Sequence, residues 1–277
     1  MALSVVLLVA AGLMLRSFAK LTTLDIGFDR NNVLLVEADL HVAKVPPNRQ
    51  LATFDEIEGR LGALPGVVPI GRSVFTPISH RGWNQGIQTE LSKGIAGYDP
   101  VSWFNCVSPG LFKTLRITML AGRNFSGDDT ETSAPVAIIN QTLARRFFPD
   151  LNRIGKTFRM MDVGSQPMPP IEVIGVVKDA KYLSVREDAP PTAYFPATQD
   201  TQHFESANFQ LRAAVPPSAL AASIQAAVGV NHEIPLQFHT LAEQVNDSLV
   251  QERLLALLSG FFGTLARCWR GSDSTVR

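Results

Sequence analysis

Few of the residues that could do chemistry are spaced to do it. Gly155-Lys156-Thr157 has the ending of a phosphate-binding loop. The full G-x-x-x-x-G-K-[ST] spacing needs an earlier glycine, so that backbone N–H groups can wrap phosphate oxygens. That position holds Asp150, so nucleotide binding is excluded. The chain has no G-x-S-x-G nucleophile turn and no H-E-x-x-H zinc motif. Its five histidines are His41, His80, His203, His232 and His239, and none forms a pair at metal-ligand spacing. His232-Glu233 reads as a solvated loop. Asp128, Asp129 and Glu131 lack the alternation and glycine of a calcium loop and read as an exposed acidic turn. Arg145-Arg146 fit the outer face of a helix that buries Leu143 and Phe147. Trp83, Trp103 and Phe104 have the makings of a ligand platform, but core packing is the expected use of these rings. The reading is of a chain with no catalytic residue, no cofactor-binding residue and no metal site.

Composition gives no sign of a nucleic-acid partner. Among 277 residues, 25 Lys plus Arg balance 25 Asp plus Glu, which gives no electrostatic case for nucleic acid. Apolar content is 45%, ordinary for a globular protein. Any membrane argument must therefore rest on where apolar residues cluster. Cys106 and Cys268 are the only cysteines. Cys268 falls in an anomalous tail, and Cys106 reads as a small buried residue.

The apolar clusters lie at the two ends. Met1 to Leu15 contains no charge, and Leu254 to Ala266 is nearly as apolar. A bilayer crossing takes roughly 20 apolar residues in a helix. Each run is short of that, and the expectation is two incomplete membrane helices. The stretch from Arg267 to Arg277 reads as a change of sequence identity.

Between them, the pattern gives strands and helices. Asn32 to Leu40 and Val67 to Phe75 read as strands. The helix between them opens at Pro47 and carries a stripe of Leu51, Phe54, Ile57, Leu61 and Leu64. Short strands are expected around Ile87 to Leu91 and over Val101 to Val107. Ser108 is the expected N-cap of a short helix with Pro109 as its first residue. Val136 to Ile139 is an apolar strand, and Asn140 caps the helix Gln141 to Phe148. Ile171 to Val177 is another strand. Pro190-Pro191 give Thr192 to Pro196 the look of an edge strand. Ala207 to Ala213, the helix from Ala219 to Val228 and Pro235 to His239 repeat the first strand–helix–strand plan. Thr240 and Glu243 form a capping box for a helix expected to run from Leu241 to Ala266.

Several segments together carry a family resemblance: ALSVVLLVAAGLMLRSFAKL with GFDRNNVL, VSPGLFKTLRITMLAGRNF, APVAIINQTLARRFFP with RIGKTF, IEVIGVVKDAKYLSVRE with PTAYFP, and SLVQERLLALLSGFFG. With these the chain resembles the MacB-like periplasmic core domain of FtsX-type permease subunits in ABC transporters, of the duplicated orphan permease type. The resemblance implies an α+β extracytoplasmic domain of two β-α-β units with an inserted mixed α/β subdomain, flanked by N- and C-terminal transmembrane helices, both incomplete here. The expected division is residues 1–24 for the first membrane helix and stalk, 25–75 for the first β-α-β half, 76–196 for the insertion, 197–240 for the second half, 241–266 for the second stalk and helix start, and 267–277 for the aberrant tail.

The resemblance further implies an inner-membrane protein with its main domain in the periplasm. The expected partners are the membrane, a separate ABC ATPase and periplasmic or outer-membrane proteins. Full-length relatives would be dimeric. The implied function is non-catalytic, without cofactor: conformational change passes between membrane helices and periplasmic substrate or partners. The alternative is a stand-alone membrane-anchored extracytoplasmic binding module.

Overall fold

A computed structural model describes residues 16, 24–89, 100–149, 153–161, 168–199, 204–215, 217–228 and 234–249. The apolar runs Met1 to Leu15 and Leu254 to Ala266, and the tail after Ala266, lie outside the described residues. Among the described residues, no helix is long and apolar enough to cross a membrane. The chain divides into Gly27–Gln244 and a second unit made of Met1–Ile26 with Val245–Arg277. Gly27–Gln244 holds the described strands and nearly all of the described helices.

Four strands form an antiparallel sheet: β1 (Val33–Asp39), β2 (Val67–Ser73), β10 (Ser206–Ala213) and β11 (Leu236–Thr240). Their spatial order is β11-β1-β10-β2. Helix α1 (Pro47–Gly62) joins β1 to β2, and α4 (Pro217–Val228) joins β10 to β11. Each unit is thus a split β-α-β: β10 separates β1 from β2, and β1 separates β10 from β11. Val36 faces Phe209 and Leu34 faces Leu211 across the β1–β10 pair. The two helices cover this face, with Phe54, Ile57 and Leu61 of α1 and Leu220, Ile224 and Val228 of α4 in one core. The buried face of α1 runs through Gln50, Thr53, Phe54, Ile57 and Leu61. Leu51, part of the expected stripe, is 37% exposed. The reason is angular: the face is centred on the Phe54–Ile57–Leu61 line, and Leu51 falls at its margin.

Residues between β2 and β10 build a second body. Its strands are β3 (Trp83–Gln88), β4 (Val101–Val107), β6 (Val136–Asn140), β7 (Thr157–Met160), β8 (Ile171–Val177) and β9 (Thr192–Pro196). The pairing runs β4-β3-β7-β8-β6-β9 and then returns from β9 to β4, so the sheet closes into a barrel. Strand β5 (Met119–Gly122) pairs with Gly175–Val177 of β8, beyond the Ile171–Glu172 stretch that β7 takes on the edge opposite β6. Inward side chains alternate with outward ones: Phe104 and Cys106, Ala137 and Ile139, Phe158 and Met160, Ala193 and Phe195 share one core.

Closure explains a misread strand. Thr192 to Pro196 is no edge: all five residues are buried, with β4 on one side and β6 on the other. The prolines that suggested an edge stand just before the strand, where no ladder N–H is needed. One end of the barrel is closed by α3 (Gln141–Phe147), whose Leu143, Ala144 and Phe147 join the barrel core. Asn140 starts this helix as expected: its Oδ1 accepts from Leu143 N at 2.9 Å. The same oxygen accepts from Thr192 N at 3.0 Å, which ties the helix start to β9.

The short helix α2 (Leu111–Leu115) packs on the sheet face opposite α1 and α4. Its approach requires glycines. A Cβ on Gly71 would lie 2.5 Å from Leu111 Cα, and one on Gly110 would lie 1.9 Å from the Ile70 carbonyl oxygen. Ser108 is not its N-cap. The helix starts at Leu111 with Gly110 in the capping position and no side-chain cap. The Ser108 hydroxyl is used elsewhere, as described next. Helix α5 (Leu241–Asp247) opens with the expected capping box: Glu243 N donates to Thr240 Oγ1 at 3.0 Å, and Thr240 N donates to Glu243 Oε2 at 2.8 Å. Within the described residues α5 ends at Asp247 and Ser248–Leu249 form a turn; the rest of the longer helix expected to Ala266 lies outside them.

Candidate functional site at the junction of sheet and barrel

Among the described residues, the ladders of sheet and barrel join at one short seam, beside the packing of α2 on the sheet. Strand β2 pairs with β4 at a single register position, Ser73 opposite Val107. Side chains extend the join. Asn105 brackets Phe75, accepting its N–H at 3.1 Å and donating to its carbonyl at 2.8 Å. Asn208 Nδ2 donates to the Val74 carbonyl at 2.7 Å, and Gln210 Nε2 donates to Ser73 Oγ at 2.7 Å.

Arg72 stands at the centre, with a side chain only 5% exposed. Its Nη2 donates to Asp55 Oδ1 at 2.8 Å, and its Nε lies 3.7 Å from Glu58 Oε2. The guanidinium sits 5.5 Å from the centre of the Phe54 ring, a cation–π contact. Arg72 N donates to Ser108 Oγ at 2.9 Å, and that hydroxyl donates to Glu58 Oε1 at 2.6 Å. Burial pushes the Glu58 carboxyl above its ordinary range; Arg72 and the Ser108 hydroxyl offset only part of that shift. One cleft of about 330 Å³ opens between Phe54, Ser73 and Phe204, and another of about 390 Å³ lies by Glu58, Ser108 and Phe125. Arg72 lines both.

A second polar clamp fixes the point where the chain leaves the sheet. Gln244 Nε2 donates to Thr76 Oγ1 at 2.9 Å and to the Pro77 carbonyl at 2.6 Å. Its Oε1 lies 2.8 Å from His239 Nε2. Helix α5 is thereby tied to the loop that leads from the sheet into the barrel.

The model of the MacB-like periplasmic core domain matches residues 1–228. The chain belongs to that family. The MacB-like domain is the periplasmic part of membrane-embedded ABC transporter permeases. Among solved structures, the periplasmic region of MacB from Actinobacillus actinomycetemcomitans superimposes with a TM-score of 0.51 at 12% identity, over 81% of this chain and 95% of that one. That likeness supports the mixed α/β fold. The extracellular domain of the ABC-type transporter YknZ from Gram-positive bacteria gives a TM-score of 0.45 at 16% identity, over 78% and 94% of the two chains. No curated protein matches the chain.

Within this MacB-like domain, the residues first considered for chemistry are scattered. Lys156 lies in the turn before β7, so a strand rather than a phosphate-binding helix follows Thr157. Asp150, His203 and His232 lie outside the described residues. His41 Nδ1 is 2.8 Å from Glu205 at the surface, and His80 is exposed. Among the described residues, no three His, Cys, Asp or Glu side chains are placed to hold a metal ion.

Asp129 corrects the expectation of an exposed acidic turn. It is 4% exposed and bidentately bound by Arg123, both nitrogens at 2.7 Å, and it accepts from Ser126 N at 2.8 Å. The hydrogen bond from Arg123 is the main reason its carboxyl is held below the usual range. Arg145 pairs with Asp179 at 2.8 Å, while Leu143 and Phe147 are buried. Phe104 is a core residue, and Trp83 leans on it at 4.9 Å between ring centres. Cys106 is buried.

Sequence reading missed the Arg72 cluster. The signal was present: a single arginine inside the apolar run VVPIGRSVF, which calls for a buried partner. Asp55 and Glu58, three apart on the preceding helix, were the available carboxylates.

Proposed function

We propose that this chain is a non-catalytic extracytoplasmic domain of a permease subunit. In this role it passes conformational change between its two membrane-directed ends and the periplasmic side, with a separate ABC ATPase as partner. Residues 25–75 and 197–240 act as the base, and residues 76–196 act as the arm. The observation behind this reading is the pairing of Leu34 with Thr240. The first strand begins beside the point where the last one ends, so both connections leave one end of the sheet. A shift of one connection against the other shears β1 against β11, and the Arg72 joint passes that movement to the barrel.

Spin labels test it. Val68 is 75% exposed on the sheet and Leu120 is 47% exposed on β5. Cysteines at these positions, on a Cys268→Ser background, are labelled in the full chain co-purified with its ATPase. The distance distribution is expected to change between nucleotide-free and ATP-bound states. Identical distributions in both states would overturn the transmission role. A second reading, a membrane-anchored binding module acting alone, is favoured by the apolar pocket at the barrel mouth. It predicts an unchanged distance with ATP and no captured ATPase.

A further inference from the structure

The barrel is closed by α3 at one end and hollow at the other. A pocket of about 230 Å³ lies where β6 and β8 begin and β4, β7 and β9 end. Trp83, Met160, Met168, Ile171 and Phe195 supply its apolar wall. Trp83 is held by rings on several sides, 6.1 Å from Phe195 and 6.1 Å from Phe204. The two methionines add polarizable, adaptable thioethers beside a rigid aromatic face.

The polar groups in the wall are already occupied. Gln199 Nε2 donates to Ser133 Oγ at 2.9 Å, to the Ala134 carbonyl at 3.1 Å and to the Thr130 carbonyl at 3.0 Å. Its Oε1 accepts from Val136 N at 3.1 Å. Ser133 Oγ donates to the Thr130 carbonyl at 2.9 Å. A ligand that needs several hydrogen bonds would therefore find few there. Glu131 is the only charged side chain lining the pocket among the described residues, and it is exposed. It also lines the neighbouring cleft, so it stands where the two openings meet.

We propose that the barrel mouth binds a small organic monocation, with one ring or compact branched alkyl group in the pocket and the ammonium group toward Glu131. Volume limits the apolar part to about one ring, because pockets for larger molecules start near 300 Å³. Charge selects against anions, since a carboxylate or sulfonate would face Glu131 with no cation among the described residues of the pocket wall to offset it. This site stands independently of the transmission role.

Three near-isosteric probes test it: para-fluorobenzylammonium, para-fluorobenzyl alcohol and para-fluorophenylacetate. Each is titrated by fluorine NMR against the full chain in zwitterionic lipid nanodiscs, with empty discs as the partition control. The expected result is one saturable site above the control. The ammonium should bind about 5-fold tighter than the alcohol, as one exposed charge pair allows, and the acetate weakest. Met168→Trp, which fills the mouth, is expected to remove saturable binding of all three. Glu131→Lys changes an exposed side chain and is expected to reverse the order of the two charged probes. The proposal is overturned by no saturable component above empty discs, by acetate binding as tightly as ammonium, or by an unchanged order in Glu131→Lys.

Discussion

The sheet and the barrel are built from similar short strands, yet they protect those strands differently. The sheet keeps two edges, β11 and β2, and buries one face under α1 and α4. The barrel removes its edges by pairing β9 with β4 and needs one short helix to fill an end. Burial follows position in the ladder: β9, between two partners, is buried throughout, and so is β10 after Ser206, while β11 at the edge of the sheet has no fully buried residue. The proposed division into arm and base relies on that difference: a closed ladder resists shear, and an open one permits it.

The largest effects should come from the two cores, and they should separate. Phe104 and Phe209 are both fully buried, one in each body. Replacing either by alanine should cost about 3–5 kcal/mol. In hydrogen exchange, Phe104→Ala is expected to speed the amides of β3, β4 and β6 to β9 above those of β1, β10 and β11, and Phe209→Ala to do the reverse. Equal acceleration of every strand by both variants would show one cooperative unit and erase the distinction.

The Arg72 cluster links the two bodies through Ser108, whose hydroxyl accepts from Arg72 N and donates to Glu58. Arg72→Met leaves Glu58 buried without its cation and should cost about 3 kcal/mol in thermal or denaturant unfolding. It should also widen the difference between the two exchange patterns. Arg72→Lys keeps a charge near Asp55 and should lose less. If Arg72→Met costs no more than an exposed substitution, the joint is not where the bodies are held.

Core strands and the Arg72 cluster differ in how far the sequence reveals them. Most strands and caps were readable because they are local: Asn140 and Thr240 cap helices through bonds that span three residues. The Arg72 joint was not, because its partners come from α1 and from the residue after β4, and chain distance hides them. Ser108 was misassigned for the same reason: a local rule offered a helix cap, and a tertiary contact with Glu58 claimed the hydroxyl. Asp129 looked solvated beside Asp128 and Glu131, but a turn folded it back onto Arg123. The barrel's closure was also hidden, since β4 and β9 are far apart in the chain and pair in parallel.

The Arg123–Asp129 pair sharpens the contrast on the barrel side by pH. The folded carboxyl of Asp129 titrates below its unfolded value. Its contribution is therefore fully present above the ordinary carboxylate range and is lost as pH falls through the folded value. Asp129→Asn should cost about 2 kcal/mol at neutral pH. Its difference from the unmutated protein should shrink steadily in acid. A constant difference from neutral pH down to the acid limit would mean that the charge of Asp129 contributes nothing.

The smallest expected effect lies at the exit from the sheet. Thr240 ends β11 through its backbone and caps α5 through its hydroxyl. Thr240→Ala removes an acceptor from Glu243 N and should cost about 1 kcal/mol. The loss should be local, because Glu243 is exposed and the cap adds little to the sheet core. Exchange should quicken at the first amides of α5 and stay unchanged in β1 and β10. The Gln244 clamp supplies a control one turn further along. Gln244→Ala removes the tie to Thr76 and Pro77, so it should quicken exchange in the loop entering the barrel, which Thr240→Ala leaves alone. If both variants quicken the same amides, cap and clamp act as one device, and movement at the exit reaches the barrel directly without crossing the sheet.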